Sequence, residues 1–455
     1  MQKPTFFRST ALALAAAFLC PSALLAAPDA AALRDAALKD EIAWDIVEGL
    51  TTEIGPRLAA TPKEAQARDW AVAKLRSLGF ANVRIETYRM PSWERGREEA
   101  RVVAPFDQPL AVTALGNSGS TGPDGLEAEI AYFRTLADLE AAPQGSLKGK
   151  IAFVSHAMKA SQDGSGYAPY GQVRRIGPSI AAAKGAAGIV IRSIGTDSHR
   201  LPHTGSTRFE PGVAPIPAAA LSIPDAENLE RMLKRGRPVR LRLLLTPRFP
   251  GERESGNVIA EVPGSDPGAG IILVAGHLDS WDLGTGAIDD AAGVAIVAAA
   301  AKRIMDAGRP RRTIRILWAG AEEVGAYGGQ AYFAAHGHEK HVLVMESDFG
   351  ADRVWRAHYR LPAAARPVRN RIASALADLG IVSSALPARG GADIEPLVNA
   401  GISVIDLQQD GTRYFDLHHS ADDTLDKIDP AQLAQNVAAW TAVLSIAANA
   451  KEILH

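Results

Sequence analysis

The chain is poor in cysteine: of its 455 residues only Cys20 carries a thiol. No intrachain disulfide framework can form, so a chain of this length must draw its stability from a large buried core. Excess charge of either sign is also missing, with 49 basic against 51 acidic residues and a formal net charge of −2. Nothing here calls for nucleic acid or another polyanion as partner. Long apolar runs are absent too. The most apolar stretch, Ala11 to Leu19, is too short for a membrane-spanning helix. There is no internal repeat, and low complexity is confined to the N-terminus and some alanine-rich segments.

The N-terminus is composed differently from the rest. Lys3 and Arg8 precede the apolar stretch, and the small residues Ala26 and Ala27 follow it. This reads as a secretory signal peptide over 1–27, which predicts an exported chain, periplasmic or secreted, with no membrane association after cleavage. Phe18 and Leu19 before Cys20 do not supply the small residue that lipid attachment needs. Cleavage would leave a mature chain without cysteine.

At 455 residues two domains are expected. Helical spacing over 29–50 is followed by a capped helix from Thr61, with Pro62 at its first position and Glu64 at its third, ending before Gly79. Short strands, helices 176–184 and 225–234, and a Gly/Pro-rich loop at 195–220 mark 105–250 as an inserted β-rich module. The remainder, 28–104 and 251–455, alternates strand with helix and predicts an α/β domain: a mixed, mostly parallel sheet covered by helices.

The chain is organised around 271–293, IILVAGHLDSWDLGTGAIDDAAG. A buried strand delivers His277 and Asp279 at its carboxyl end, where open α/β sheets place their chemistry, and Asp289 and Asp290 follow before a helix. A helix N-cap alone would account for an acid at 289 or 290 but not for the histidine. The next strand ends in Ala319-Gly320-Ala321-Glu322-Glu323, another in Glu346-Ser347-Asp348, and a late segment carries His418-His419. On chemistry alone either late histidine could bind a metal. Imidazoles with carboxylates suit zinc, and two ions ~3.5–4 Å apart would share a carboxylate and a water. Such a water has its pKa lowered to about 7, and a nearby glutamate can relay its proton to a leaving amine, which is the chemistry of amide hydrolysis.

GHLDS, GAIDD, AEEVG, ESD and HHSADDT, in this order, resemble the co-catalytic zinc peptidases of metallopeptidase family 28, in the subgroup of carboxypeptidase Q type. The segment LKGKIAFVS…AAAKGAAGIVIRS resembles the protease-associated domain inserted in that subgroup. The resemblance implies a zinc-peptidase fold and two Zn²⁺. One ion would lie on His277 and Asp348, the other on Glu323 and His419, with Asp289 bridging. Glu322 would be the general base and Asp279 the carboxylate behind His277. His419 is chosen over His418 because it stands four residues before Asp423. Asp290 is expected to fix an unusual turn.

The loop Gly390-Gly391-Ala392-Asp393 matches a family loop near the substrate pocket, so Arg389, Asp393 and Tyr414 are candidates for substrate contact or oxyanion stabilisation. The expected partner is a peptide, and a homodimer is among the expected assemblies. Two other readings compete: a single-zinc glutaminyl cyclase, and a non-catalytic binding protein on the peptidase fold. Retention of all six catalytic and ligand positions favours an exopeptidase acting on dipeptides or short peptides. Whether it reads the amino or the carboxyl terminus stays open, with Arg389 leaning to a carboxylate and Asp393 to an amine.

Overall fold

The structure is a computed structural model that describes residues 1–2 and 29–455. The expected signal peptide over 1–27 lies almost wholly outside these residues.

Two eight-stranded sheets organise the chain. In the first, the strand Ile271–His277 lies between Thr313–Ala319 and His341–Glu346, parallel to both. Val404–Gln409 continues the parallel set beyond His341–Glu346. The flanks are antiparallel: Arg248–Val262 runs against Thr313–Ala319 and against Ala81–Glu94, and Val354–Arg360 runs against Val404–Gln409. The sheet is therefore mixed, with a parallel centre, as the alternation of strand and helix predicts.

Alternate residues of the central strands feed two cores. Val258, Ile272, Val274, Ile314 and Ile316 pack on the side of the buried alanine-rich helix Ala292–Asp306 and the C-terminal helix Pro430–Asn449. Ile259, Leu273, Ala275 and Leu317 pack on the other side, with Tyr332 and Leu397. Both faces are apolar because both are covered, which is why these strands read as continuous hydrophobic runs.

Strands between 98 and 245 form the second sheet, half of it a parallel run Leu126–Phe133, Ile151–Val154, Gly188–Arg192 and Ala218–Leu221. Glu98–Ala104, which the sequence places with the first segment, pairs instead with Arg240–Leu245. The two crossings between sheets run side by side, because Ala81–Glu94 and Arg248–Val262 pair antiparallel from Ala81↔Glu261 to Glu94↔Arg248. The transition thus falls within a few residues after Glu94 rather than at 105.

Other differences have local causes. The N-terminal helical stretch is two helices, Ala30–Ala37 and Ile42–Gly49, divided where Asp40 caps Ala43 with a 2.9 Å bond. The helix Tyr167–Arg175 is unanticipated, since Pro169 and Gly171 interrupt any helical pattern there. Among the described residues no helix is long and apolar enough to cross a membrane.

Candidate active site

The parallel register brings the singled-out residues together. His277 ends its strand opposite Ala319, and Ala275 lies opposite Glu346. Glu322 and Glu323 therefore emerge from the loop beside His277 on one side, and Glu346 and Asp348 on the other.

Asp289 is at the centre. Its Oδ1 lies 3.2 Å from His277 Nε2, and its Oδ2 lies 3.2 Å from His419 Nε2. His277 Nε2 is also 3.4 Å from Asp348 Oδ1, and His419 Nε2 is 2.9 Å from Glu323 Oε2. Two donor groups thus meet on one shared carboxylate, His277 with Asp348 and His419 with Glu323. His418 stacks on His419 at 3.5 Å between ring centres, but its Nε2 is 3.6 Å from Asp289 and it forms no ion pair with Glu323. The geometry favours His419 as the histidine that faces both acids.

Side chains behind the cluster set its orientation. His277 Nδ1 faces the main-chain carbonyl of Asp279 at 3.0 Å, whereas the Asp279 carboxylate is 3.7 Å away and accepts from Glu322 N at 3.0 Å. Asp279 thus orients the imidazole through its carbonyl and the Glu322 loop through its carboxylate. The expected contact of the Asp279 carboxylate with the imidazole is thus made by its carbonyl instead. Donation from Nδ1–H to that carbonyl leaves the Nε2 lone pair aimed at Asp289 and Asp348.

Asp290 ties two backbones together, accepting from His277 N and from Gly293 N, each at 3.0 Å. The Asp289–Asp290 peptide is cis, the unusual turn expected there. Gly293 must be glycine: a Cβ there would lie 1.9 Å from the Ser347 carbonyl oxygen. Asp423 accepts from Ile288 N at 2.7 Å and so docks the His418-His419 segment on the Asp289 turn.

Two contributions escaped the sequence. Arg57 is fully buried and donates to the carbonyls of Leu278, Thr285 (2.7 Å) and Gly286 (2.9 Å), pinning the loop between His277 and Asp289. A lone arginine in the Gly-Pro-Arg turn carries no motif. The second-sheet module also reaches in. The Thr204 carbonyl lies 3.3 Å from His419 Nδ1, and Arg174 Nη1 donates to the same carbonyl at 3.2 Å. Arg174 Nη1 lies 3.2 Å from the same Nδ1; in the tautomer that donates to Thr204, His419 Nε2 keeps its lone pair for Asp289 and Glu323.

Electrostatics fit a cation. Burial raises the pKa of Glu322, as do Asp348, Asp393 and Asp279 against the opposing pull of His277. Glu323 is raised by burial and by Asp289. Burial alone would lower His277, but Asp348, Asp289 and Asp290 carry it well above the ordinary imidazole value. Buried oxygens of Asp279, Asp289 and Glu323 have no hydrogen-bond partner. Packing several carboxylates this closely without a counter-charge is costly, and a bound cation would supply that charge. His277, Asp289 and Glu323 each offer a donor atom within 4.8 Å of the others, as do His277, Asp290 and Asp348.

The cluster opens into a cavity of about 350 Å³, which Tyr414 also lines. Arg389 and Asp393 are not in its lining. Arg389 is exposed at the rim of a neighbouring cavity of about 510 Å³ that shares Asp348 and Phe349. Asp393 is buried behind the cluster, its pKa raised to about 8 by burial, and neither of its carboxylate oxygens has a partner. Glu346, also with an unpartnered oxygen, accepts from Ile394 N at 3.0 Å.

Comparison with known proteins gives the family. Residues 257–444 match peptidase family M28. Bovine (Bos taurus) carboxypeptidase Q is 33% identical over 408 residues, covering 89% of this chain and 85% of that protein. The crystal structure of a peptidase M28 precursor from Shewanella amazonensis SB2B superposes with a TM-score of 0.91 at 48% identity, covering 94% of this chain and 97% of that one. A zinc aminopeptidase from Bacillus subtilis shares the fold at 20% identity, with a TM-score of 0.66 over 90% of this chain and 96% of its own. Fold, motif order and relatedness across most of the length converge: this chain belongs to peptidase family M28 and is a hydrolase of peptide bonds.

Proposed function

We propose that the chain is an exported di-zinc exopeptidase that cleaves dipeptides or short peptides. The observation carrying this reading is the shared Asp289 carboxylate, 3.2 Å from His277 on one side and 3.2 Å from His419 on the other. His277 and Asp348 would hold one ion, Glu323 and His419 the other, with Asp289 between. Two zinc ions, when bound, acidify a shared water and polarise the scissile carbonyl.

The protein's own groups do the rest. Glu322, held by the bond from its main-chain N–H to Asp279, takes the proton of the attacking water and returns it to the leaving nitrogen as the C–N bond breaks. Water oxygen adds to the carbonyl carbon, and the products are a carboxylic acid and an amine. Tyr414 lines the cavity with Asp289 and Asp348 and is one side-chain donor there for a developing oxyanion. The second sheet is read as the protease-associated insert. Export rests on the basic–apolar–small pattern of residues 1–27.

The test is metal content and hydrolysis of unblocked dipeptides by the mature chain, beside Glu322→Gln. About two metals per chain in both proteins, with turnover lowered on the order of 10²–10⁴-fold in the variant, is the expected result. One metal with pyroglutamate formation would move the chain to cyclase chemistry. Folded protein with neither metal nor turnover would leave only a binding role.

A further inference from the structure

His419 sits in a turn that does not favour its side chain. Leu417 to Ser420 close on a bond from Ser420 N to the Leu417 carbonyl at 3.1 Å. His418 has φ −47° and ψ 126°, and His419 has φ +60°. These are the angles of a type II turn, whose third residue is usually glycine or asparagine because its φ is positive. A type I turn, open to most residues, differs by turning over the central peptide, here the one joining His418 to His419. That alternative would swing the His419 side chain away from Asp289 and Glu323. A group bonded to the His418 carbonyl therefore decides which turn the segment keeps.

The second-sheet module supplies that group. His203 Nδ1 lies 2.6 Å from the His418 carbonyl oxygen, and its Nε2 lies 2.7 Å from Asp197 Oδ2. Both side chains are buried, His203 completely. Each nitrogen faces an acceptor, so a ring bonded to both carries hydrogen on both, and Asp197 pairs the resulting charge. The dyad is itself held in place. Asp197 Oδ1 accepts from His199 N at 3.0 Å, and His203 N donates to Ser193 Oγ at 2.9 Å. Gly195 packs directly on the pair, where a Cβ would lie 2.6 Å from His203 Nε2. Main-chain bonds dock the rest of the segment: Thr196 N donates to the Phe415 carbonyl at 3.1 Å and Thr204 N to the His419 carbonyl at 2.9 Å. Those bonds fix where the segment lies. His203 acts on the one peptide that the two turn types turn over.

We infer that His203, paired with Asp197, is a positioning residue that locks the His418–His419 peptide and so sets the affinity of the metal site formed by His419 and Glu323. This rests on the di-zinc reading above and deepens it, because it makes the second-sheet module part of one metal site and not of the other. The His277 side is held by Asp279 and Asp290 of the first-sheet domain. A local departure from a favoured backbone conformation persists when its surroundings over-determine it, and here the over-determining bond crosses between the two sheets.

The experiment titrates zinc calorimetrically into the metal-free chain, comparing His203→Asn with His203→Gln. The asparagine amide stands about where Nδ1 stands and can still donate to the His418 carbonyl; the glutamine amide stands about where Nε2 stands and reaches Asp197 instead. His203→Gln is expected to weaken the second ion about 10- to 100-fold and leave the first unchanged, with His203→Asn recovering part of the loss. Asp197→Asn, which keeps the shape of the pair and removes its charge, gives the same selective loss in smaller measure. Amide hydrogen exchange of the metal-free chain supplies a second readout: exchange over 414–420 accelerates in His203→Gln more than in His203→Asn, with the central strands unaffected. Equal weakening of both ions, as a general loss of stability would give, or identical behaviour of the two His203 variants, overturns the inference. If the unmodified chain binds fewer than two ions the di-zinc reading fails, and exchange still decides the lock: unaltered protection over 414–420 in His203→Gln overturns it.

Discussion

The two walls of the cavity are built on opposite terms. The first-sheet wall gathers Asp289, Glu322, Glu323 and Asp348 from the ends of successive strands, each fixed by register and backbone bonds. The second-sheet wall offers two arginines from one short helix that sequence periodicity does not reveal. The acidic wall lies on the rigid centre of a sheet covered on both faces, as sub-ångström placement of a reacting centre demands. The basic wall lies at a helix end reached through a polar loop, where sequence can change without disturbing the sheet. The difference teaches that the two walls come from separate parts of the chain and join where Thr204 and Arg174 stand behind His419.

Asp289→Ala is the strongest way to break the acidic wall, because it removes the oxygens common to both donor groups. Activity is expected to fall on the order of 10²–10⁴-fold or further. Unlike Glu322→Gln, this variant also loses metal, which elemental analysis of the purified chain reads directly. Next comes the cation beneath the same wall. Arg57→Met leaves the carbonyls of Leu278, Thr285 and Gly286 without their donor and removes a positive charge that acts on Asp423, Asp279 and Asp289. A loss of about 3–5 kcal/mol in chemical denaturation is expected, with metal binding weakened in parallel.

The acidic wall also extends its cost into the core. Glu64 is buried, accepts from Ser255 at 3.0 Å and pairs with Arg68 at 3.3 Å. Burial raises its pKa to about 7, and Asp279 adds to the rise against the pull of Arg68. A carboxyl raised in the folded state favours folding below its unfolded value of about 4.5, and that contribution is lost as pH rises through about 7. The wild-type chain is therefore expected to lose at most about 3 kcal/mol between these limits through Glu64. Glu64→Gln flattens this part of the stability–pH curve, measured by denaturation at pH 5 and pH 8.

The smallest expected effect sharpens the basic wall. Tyr167→Phe removes the oxygen that accepts from Arg174 Nη2, costing about 1 kcal/mol in chemical denaturation. Metal content should not change.

The acidic wall was legible in the sequence because its chemistry is punctuated: each of His277, Glu322-Glu323 and Asp348 directly follows a strong apolar run, and motif order supplies the pairing. Sequence could not distinguish the two oxygen types of Asp279, since the choice between its carbonyl and carboxylate depends on backbone dihedrals after the strand. Arg389 and Asp393 were chosen from a loop motif near the pocket; tertiary packing puts one on the rim of a different cavity and buries the other. The basic wall was illegible for a further reason. Arg174 and Arg175 acquire meaning only when Thr204 and His419, 30 and 245 positions away from Arg174, close around them. The strand Val354–Arg360 was missed because its register is set by pairing with Val404–Gln409.

The paired strands Ala81–Glu94 and Arg248–Val262 bear on how such an enzyme could diversify. The chain departs for the second sheet and returns from it through neighbouring strands, so about 150 residues are grafted at what is geometrically a single hairpin position. Insertion or replacement at such a point leaves the order and register of the catalytic sheet intact. Lineages built on this scaffold could therefore acquire new diets by exchanging the graft, provided each newcomer brings a carbonyl to the place of Thr204 behind His419.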